Sequence, residues 1–357
     1  MINYLLRRSL LLIPTLLGMT LVVFFIMAWS PGGISPQLLT AEGGMDPKQR
    51  KALQEYLNQR YGFDKPYVVQ YGRWLNKVSP VGFVTDEQGK LGRFTLKAPD
   101  LGHSFVKDRP VSDMIAQALP ITLLLNVITI PIIYAISILT GMYAARHHGK
   151  MFDLASGTIM LGLWSVPNIL AGVALVGFLA SKQYLRLFPT GGLHDIFAAQ
   201  MPFLPVWSAQ GFERGWLLDA IWHLALPIIC LSYGGFAFLA KLTRGAVLEN
   251  LLSDFVRTAR AKGVDGRTIL FRHVLRNSLL PLITVASAIL PALIGGAIVV
   301  ETIFGIPGMG KMAIDAINLR DREVVMAVAL VSGLLGLLSY LIADICYVAA
   351  DPRVSYE

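Results

Sequence analysis

The chain has 357 residues, 54% hydrophobic and 15% charged, against roughly 25% charged in an average soluble domain. That composition excludes an ordinary water-soluble enzyme and requires an apolar solvent. The net charge of +8 invites a nucleic-acid reading, but the cations are distributed by membrane side rather than along a binding stripe.

Charge-free runs extend over Ser9 to Ala41, Met114 to Ala145, Leu154 to Ser181, Ala220 to Ala240, Asn277 to Val300 and Val324 to Ala343. Each reaches the roughly 20 residues needed to cross hydrocarbon. One such run could be a buried helix of a large soluble protein, but six in one chain predict an all-α membrane protein with six transmembrane helices. The first run follows Arg7 and Arg8 as a signal peptide would. Its core, Leu10 to Trp29, is too long for that, and it ends in Ser30-Pro31-Gly32-Gly33 without an A-x-A cleavage pattern, so it reads as a retained helix.

The chain then divides into a first helix (1–30), a long outer segment (31–113), a five-helix core (114–350) with a basic inner loop (241–280), and a tail (351–357). In the outer segment, Asp46 to Trp74 alternates apolar with charged positions. Pro47 suits a helix start, and Leu53, Tyr56 and Leu57 form a stripe at i, i+3, i+4. Between Ser79 and Lys97, Asp86-Glu87-Gln88-Gly89 separates two short β-favouring runs and predicts a hairpin. Farther on, Pro131, Pro167, Pro227 and Pro291 each remove a helical hydrogen bond and favour a kink, although ordinary packing also accommodates them.

The connections differ in size and charge. Arg146 to Asp153 is tight, whereas Lys241 to Arg276 is long and basic. With the N-terminus inside, the short inner segments hold thirteen Lys or Arg and the two shorter outer connections six. The twelve in the long outer segment carry no weight, because long loops translocate largely regardless of charge. Both termini are therefore expected in the cytoplasm.

Cys230 and Cys346 read as small hydrophobes, and the six histidines show no ligand spacing, so neither a disulfide framework nor a metal site is expected. Gly305-Ile306-Pro307-Gly308-Met309-Gly310-Lys311 matches the phosphate-binding loop pattern G-x-x-x-x-G-K. However, Met312 stands where Ser or Thr must hold magnesium, and no strand precedes the motif. The chain is thus expected to carry no cofactor and no ATPase site of its own. Nor does an acidic residue lie in the core of a span: Glu301 falls at the outer end of the fifth and Asp344 near the inner end of the last, which disfavours an ion-driven carrier. Asn126, Thr129, Asn168 and Ser287 are candidates to line a path, with helix-packing contacts the alternative.

The inner loop carries the mechanism. Ser253 suits an N-cap and Gly263 a C-terminal stop, with Lys262 favoured at the negative end of the helix dipole. A helix of about nine residues is marginal in water and persists only when docked. After Asp265-Gly266, Ile269, Leu270 and Val274 can lie on the membrane flank. The segment could be an interfacial helix attracting anionic headgroups. Alternatively, Ala259, Ala261 and Gly263 permit close approach of another protein, with Arg257 and Arg260 on one helical face.

Arg257-Thr258-Ala259-Arg260-Ala261-Lys262-Gly263, followed by His273-Val274-Leu275-Arg276-Asn277-Ser278-Leu279-Leu280-Pro281, resembles the EAA loop of ATP-binding-cassette (ABC) importer permeases, specifically the dipeptide and oligopeptide subfamily. The likeness extends to Tyr61–Pro66 with Tyr71, to Asp100-Leu101-Gly102-His103-Ser104-Phe105, to Arg109-Pro110-Val111, to Glu301–Gly308 and to Asp351-Pro352-Arg353. Arg257 and Thr258 replace the glutamate and alanine that give the loop its name, the spacing from Gly263 to Pro281 is longer than in the broad consensus, and Ser79 to Lys97 looks like an insertion. The resemblance implies a type I importer permease fold in a bacterial inner membrane. It further implies that Arg257–Gly263 dock on one of two cytoplasmic ATPase subunits, which hold ATP and magnesium. A second homologous permease and an extracytoplasmic solute-binding protein complete the assembly that it implies. The rival readings, a self-sufficient secondary carrier or channel and a membrane enzyme, require carboxylate ion sites, an internal repeat or a convergent catalytic set, none of which is evident in the sequence. The solute stays open among peptides, metal chelates and other small polar molecules.

Overall fold

A computed structural model describes residues 2–29, 64–85, 91–104, 106–208, 211–294 and 297–350, with isolated positions between 48 and 58. The predicted stripe of Leu53, Tyr56 and Leu57, the hairpin turn 86–89 and the tail motif 351–353 lie outside the described residues, as does the side chain of Ser287.

Helices dominate. They are α1 (Ile2–Trp29), α2 (Tyr67–Val78), α3 (Val111–Arg146), α4 (Met151–Ser165), α5 (Asn168–Ala174), α6 (Gly215–Leu251) and α7 (Asp254–Ala261). The single turn α8 (Gly266–Thr268) passes through a π turn, Ile269–Val274, into α9 (Leu275–Ile294), and α10 (Ile298–Ile303), α11 (Met309–Asn318) and α12 (Arg322–Ala350) follow. Among the described residues, five helices are long and apolar enough to cross a membrane, and a sixth span arises if the bent pair at 151–180 counts as one.

Among the described residues, that bend lies at a proline between two helices. α3 runs through Pro131 and α6 through Pro227 without interruption, whereas α4 and α5 meet at 94° around Val166-Pro167. A residue before proline is pushed out of the helical region, and Val166 is extended at ψ 121°. Its freed carbonyl accepts a hydrogen bond from Tyr233 Oη at 2.7 Å.

The chain divides into two compact units. In the unit formed by Leu6–Gln117 with Met312–Leu334, α1 packs Phe24 and Ala28 against Tyr71, Trp74 and Val78 of α2. Tyr71 Oη lies 2.9 Å from Thr20 Oγ1 and donates to the Leu17 carbonyl at 3.1 Å. The expected hairpin is present as β1 (Val81–Thr85) antiparallel to β2 (Leu91–Leu96), with Phe83 opposite Phe94 and the Asn76 side chain bonding the Phe83 backbone. Two members of the Asp100–Phe105 motif fold onto the start of α12. Ser104 Oγ donates to the buried Asp321 carboxylate at 2.5 Å. Gly102, at φ +82°, leaves room for Glu323, whose carboxylate would lie 2.5 Å from any added Cβ. Arg322, buried beside it, donates to Glu323 at 2.6 Å and to Gln70 at 3.2 Å.

In the other unit, formed chiefly by Ala118–Lys311, one apolar cluster gathers Leu125 of α3, Cys230 and Tyr233 of α6 and Val300 of α10 with Phe304 and Ile306. Asp153, at the first turn of α4, is ion-paired to Arg244 of α6 through both Nε and Nη2, and also accepts the Gly149 amide at 2.9 Å. His194 and His223, far apart in sequence, flank the buried Asp219 at 3.5 and 3.4 Å.

Glu301 is fully buried. Its carboxylate accepts Thr122 Oγ1 at 2.9 Å and the Lys311 amide, in the first turn of α11, at 2.9 Å. A negative charge suits a helix N-terminus. The glycine-rich segment 305–311 therefore wraps a protein carboxylate: a Cβ at Gly308 would stand 2.5 Å from Glu301 Cδ. This segment follows a helix, not a strand, and its Lys311 amide is already occupied. Glu301→Ala should leave the Thr122 hydroxyl proton and the Lys311 amide without their acceptor, at a cost of about 3 kcal/mol, and lower the melting temperature in detergent by roughly 5–10 °C. Thr122→Val should cost a similar amount, about 2–3 kcal/mol, because it takes the acceptor from the buried Met309 amide and one donor from Glu301, although the Lys311 amide keeps its acceptor.

Candidate functional site

α6 does not stop at the end of its apolar run. It continues to Leu251, so that Lys241–Leu251, expected as part of a loop, is rigid helix. Its 37 residues span about 55 Å, well beyond the ~30 Å of hydrocarbon. Only Leu252 and Ser253 separate it from α7.

α7 is held by its one apolar edge. Val256 is fully buried among Met142 and Ala145 of α3, Val247 of α6, and Ile269, Leu270 and Val274 of the π turn, with Ala259 and Val264 packed alongside. Ile269, Leu270 and Val274 thus face protein and form the seat of α7, not a membrane flank. The π turn supplies the reason: its wider winding places 269, 270 and 274 together on the side that α7 covers. Asn250 Nδ2 donates to Ser278 Oγ at 3.1 Å, and Ser278 donates to the Ala246 carbonyl at 3.2 Å, pinning the end of α6 to α9.

The caps differ from one another. Ser253 occupies the N-cap position with extended backbone, but its hydroxyl donates backward to the Asn250 carbonyl at 2.5 Å instead of accepting an amide of α7. The C-terminus closes as expected. Gly263 stands at φ +75°, its amide donating to Arg260 O at 3.0 Å and the Val264 amide to Ala259 O at 3.1 Å, a Schellman pair. Asp265 then caps α8, accepting the amides of Arg267 at 3.0 Å and Thr268 at 3.1 Å. Hydrogen bonding from Thr268, with help from the Arg267 amide, holds the Asp265 carboxyl below the usual carboxylate range. Because its folded pKa is depressed, this cap acts fully above the ordinary carboxylate pKa and is lost as pH falls through the lowered value.

Of the seven residues singled out in sequence, Arg257, Thr258, Arg260, Ala261, Lys262 and Gly263 are exposed, while Ala259 is half-buried and packs inward. Close approach from outside is therefore open at Ala261 and Gly263 only. Arg257, 74% exposed, bonds Asp254 at 3.3 Å. Sequence reasoning missed Leu252 and Phe255, exposed apolar side chains beside the arginines, and missed Val256 as the anchor, although its i, i+3 spacing to Ala259 carried that signal. Of the path candidates, Asn126 and Thr129 are buried on one face of α3, whereas Asn168 is exposed at the start of α5.

Comparison with known proteins gives a consistent picture. Residues 137–356 match the family model "Binding-protein-dependent transport system inner membrane component", and residues 1–126 match its N-terminal companion. The chain is 37% identical to the "Oligopeptide transport system permease protein AppB" of Bacillus subtilis, over the full length of both. It is 33% identical to the "Di/tripeptide transport system permease protein DppB" of Pseudomonas aeruginosa, again over the full length of both. Among solved structures, an inward-facing MetNI methionine ABC transporter chain aligns with TM-score 0.51 at 16% identity, covering 67% of this chain and 97% of the other, and so shares its fold.

Val256→Ala should loosen α7 by about 2 kcal/mol and speed limited tryptic cleavage at Arg257, Arg260 and Lys262 roughly 30-fold. Gly263→Val meets no neighbouring atom but must hold a left-handed backbone, costing about 1–2 kcal/mol and accelerating the same cleavage less. An unchanged digestion rate in Val256→Ala would show that this contact does not hold the helix.

Proposed function

The chain belongs to the family of binding-protein-dependent transport system inner membrane components, in the peptide and oligopeptide branch of ABC importer permeases, and from that premise we propose that it forms half of a peptide path and couples to its ATPases through α7. It is a multi-pass membrane permease subunit. In this reading both termini and 241–280 face the cytoplasm, 31–113 faces the periplasm, and 114–350 is the permease core. A second, similar permease supplies the other half of the path, an extracytoplasmic binding protein delivers the solute, and two partner ATPases bind ATP and magnesium.

One observation carries the coupling role: a short helix with an exposed basic face is docked by Val256 on three elements that enter the apolar core. Closure of two ATPases can move distant helices only through a rigid element whose contacts differ between states. α7 meets that need, since α3, α6 and the π turn leading to α9 all end beneath it. Arg257, Thr258, Arg260, Ala261, Lys262 and Gly263 meet the ATPase, with Leu252 and Phe255 as apolar contacts, and Ala259 seats the helix. Asn126 and Thr129, with Asn168 and Ser287, line the path. The names of the relatives, oligopeptide and di/tripeptide transport system permease proteins, support a peptide as the solute. The carrier reading loses support from the buried acids, since Asp153, Asp219, Glu301, Asp321 and Glu323 all accept bonds from fixed protein donors.

Arg257→Glu with Arg260→Glu should reduce ATP-dependent tripeptide uptake by cells at least tenfold while membrane levels of the chain stay normal. Uptake at the wild-type rate in that double variant would falsify the coupling assignment.

A further inference from the structure

At the end of α6 opposite α7, the connection 181–214 carries apolar side chains that the chain itself does not cover. Ile196 is 93% exposed and Trp207 81%, and Phe197, Phe203, Leu204 and Phe212 are exposed with them. From Ile196 to Phe212 the sequence holds no charged residue. We propose that Ile196, Phe197, Phe203, Trp207 and Phe212 lie in the headgroup–acyl boundary of the bilayer leaflet opposite α7, so that the partner of this surface is lipid.

The backbone fixes the depth. The Pro202 carbonyl accepts the Trp216 amide at 2.8 Å and the Phe203 carbonyl accepts the Leu217 amide at 3.0 Å, which ties the connection to the first turn of α6. Gly215 stands at φ +71°, and a Cβ there would lie 2.5 Å from the Leu204 carbonyl carbon, so the two stretches of chain touch. Trp216 lies four residues before Ala220, where the charge-free run of α6 begins, a rise of about 6 Å. The polar shell outside the hydrocarbon is about 5–8 Å deep on each side. Phe203 and Trp216 therefore stand inside that shell.

The apolar surface is continuous with the span. Phe203 stacks on Trp216 with ring centroids 5.8 Å apart, and Leu217 and Ile221, one turn apart and both exposed, carry the uncovered surface down α6. Ala198, Ala199, Met201, Phe203 and Trp216 frame a shallow depression of about 370 Å³, open to the methylenes of an acyl chain. Beside it, β3 (Val206–Ser208) pairs with β4 (Gly211–Glu213), which sets Trp207 opposite Phe212 with rings 5.3 Å apart. That ladder pairs backbone groups with each other and lowers the cost of leaving water.

Chemistry favours lipid over a soluble partner. Aromatic rings suit the membrane interface, where the ring meets hydrocarbon edge and an indole N–H meets headgroups. Charge returns only at the margins, with Asp195 on one side and Glu213 and Arg214 on the other. A protein that docks and leaves is steered by charge around its contact, and none stands among these rings.

Spin labels at Ile196→Cys and at Trp207→Cys, each placed singly in the full-length chain, test the placement in vesicles of phosphatidylcholine and phosphatidylglycerol. Cys346→Ser removes one native thiol, and Cys230, fully buried, stays. Collisions are read with oxygen, which concentrates in lipid, and with a nickel chelate, which stays in water. The chelate is present on both faces, so the result does not depend on which face is cytoplasmic. Relaxation by oxygen should exceed relaxation by nickel about threefold at both positions, with the order reversed at an exposed Thr258→Cys control. Nickel prevailing at either loop position overturns the proposal. Shielding from both reagents marks a face covered by protein and overturns it as well.

Discussion

Burial of one valine side chain underlies the mechanical reading. An eight-residue helix cannot persist alone in water, and Val256, seated among Met142, Val247, Ile269 and Val274, holds α7 in place. Full burial of such a side chain is worth about 2 kcal/mol, enough to dock a helix whose termini are already closed. The seat draws on α3, on the end of α6 and on the π turn before α9, so any force on α7 reaches three membrane helices at once.

Elsewhere the same logic appears with carboxylates in place of a methyl group. Glu301 gathers Thr122, the first turn of α11 and the glycines around it; Asp321 and Glu323 gather the segment around Gly102 and Ser104. A buried carboxylate is costly unless donors surround it, so each such site demands particular neighbours: a hydroxyl, an amide at a helix start, and a glycine where a Cβ would collide. Sequence motifs that resemble family signatures are here packing solutions around buried charge, which explains why a phosphate-loop pattern can arise without phosphate chemistry.

Much of this was legible in the residues. The apolar runs predicted the long helices, Asp86–Gly89 predicted the hairpin, and Gly263 predicted the end of α7, because each rests on a local rule about burial, turns or left-handed backbone. What escaped were contacts between distant positions. Nothing local distinguishes Pro167, which breaks a span, from Pro131 and Pro227, which do not. The Asp153–Arg244 pair joins residues 91 apart, and the burial of Glu301 depends on Thr122, 179 residues away. Ile269, Leu270 and Val274 looked suited to lipid because helical spacing alone cannot say whether an apolar face meets a bilayer or another helix. Ser253 had the right residue type for a cap, but its hydroxyl found a nearer acceptor at Asn250.

The claim on which the account rests most directly is that the exposed face of α7 points into the cytoplasm. A single cysteine at Thr258, in a background with Cys230 and Cys346 replaced by serine, can be probed with a membrane-impermeant maleimide. Labelling is expected in inside-out vesicles and not in intact spheroplasts. Labelling from the exterior of intact spheroplasts would contradict it.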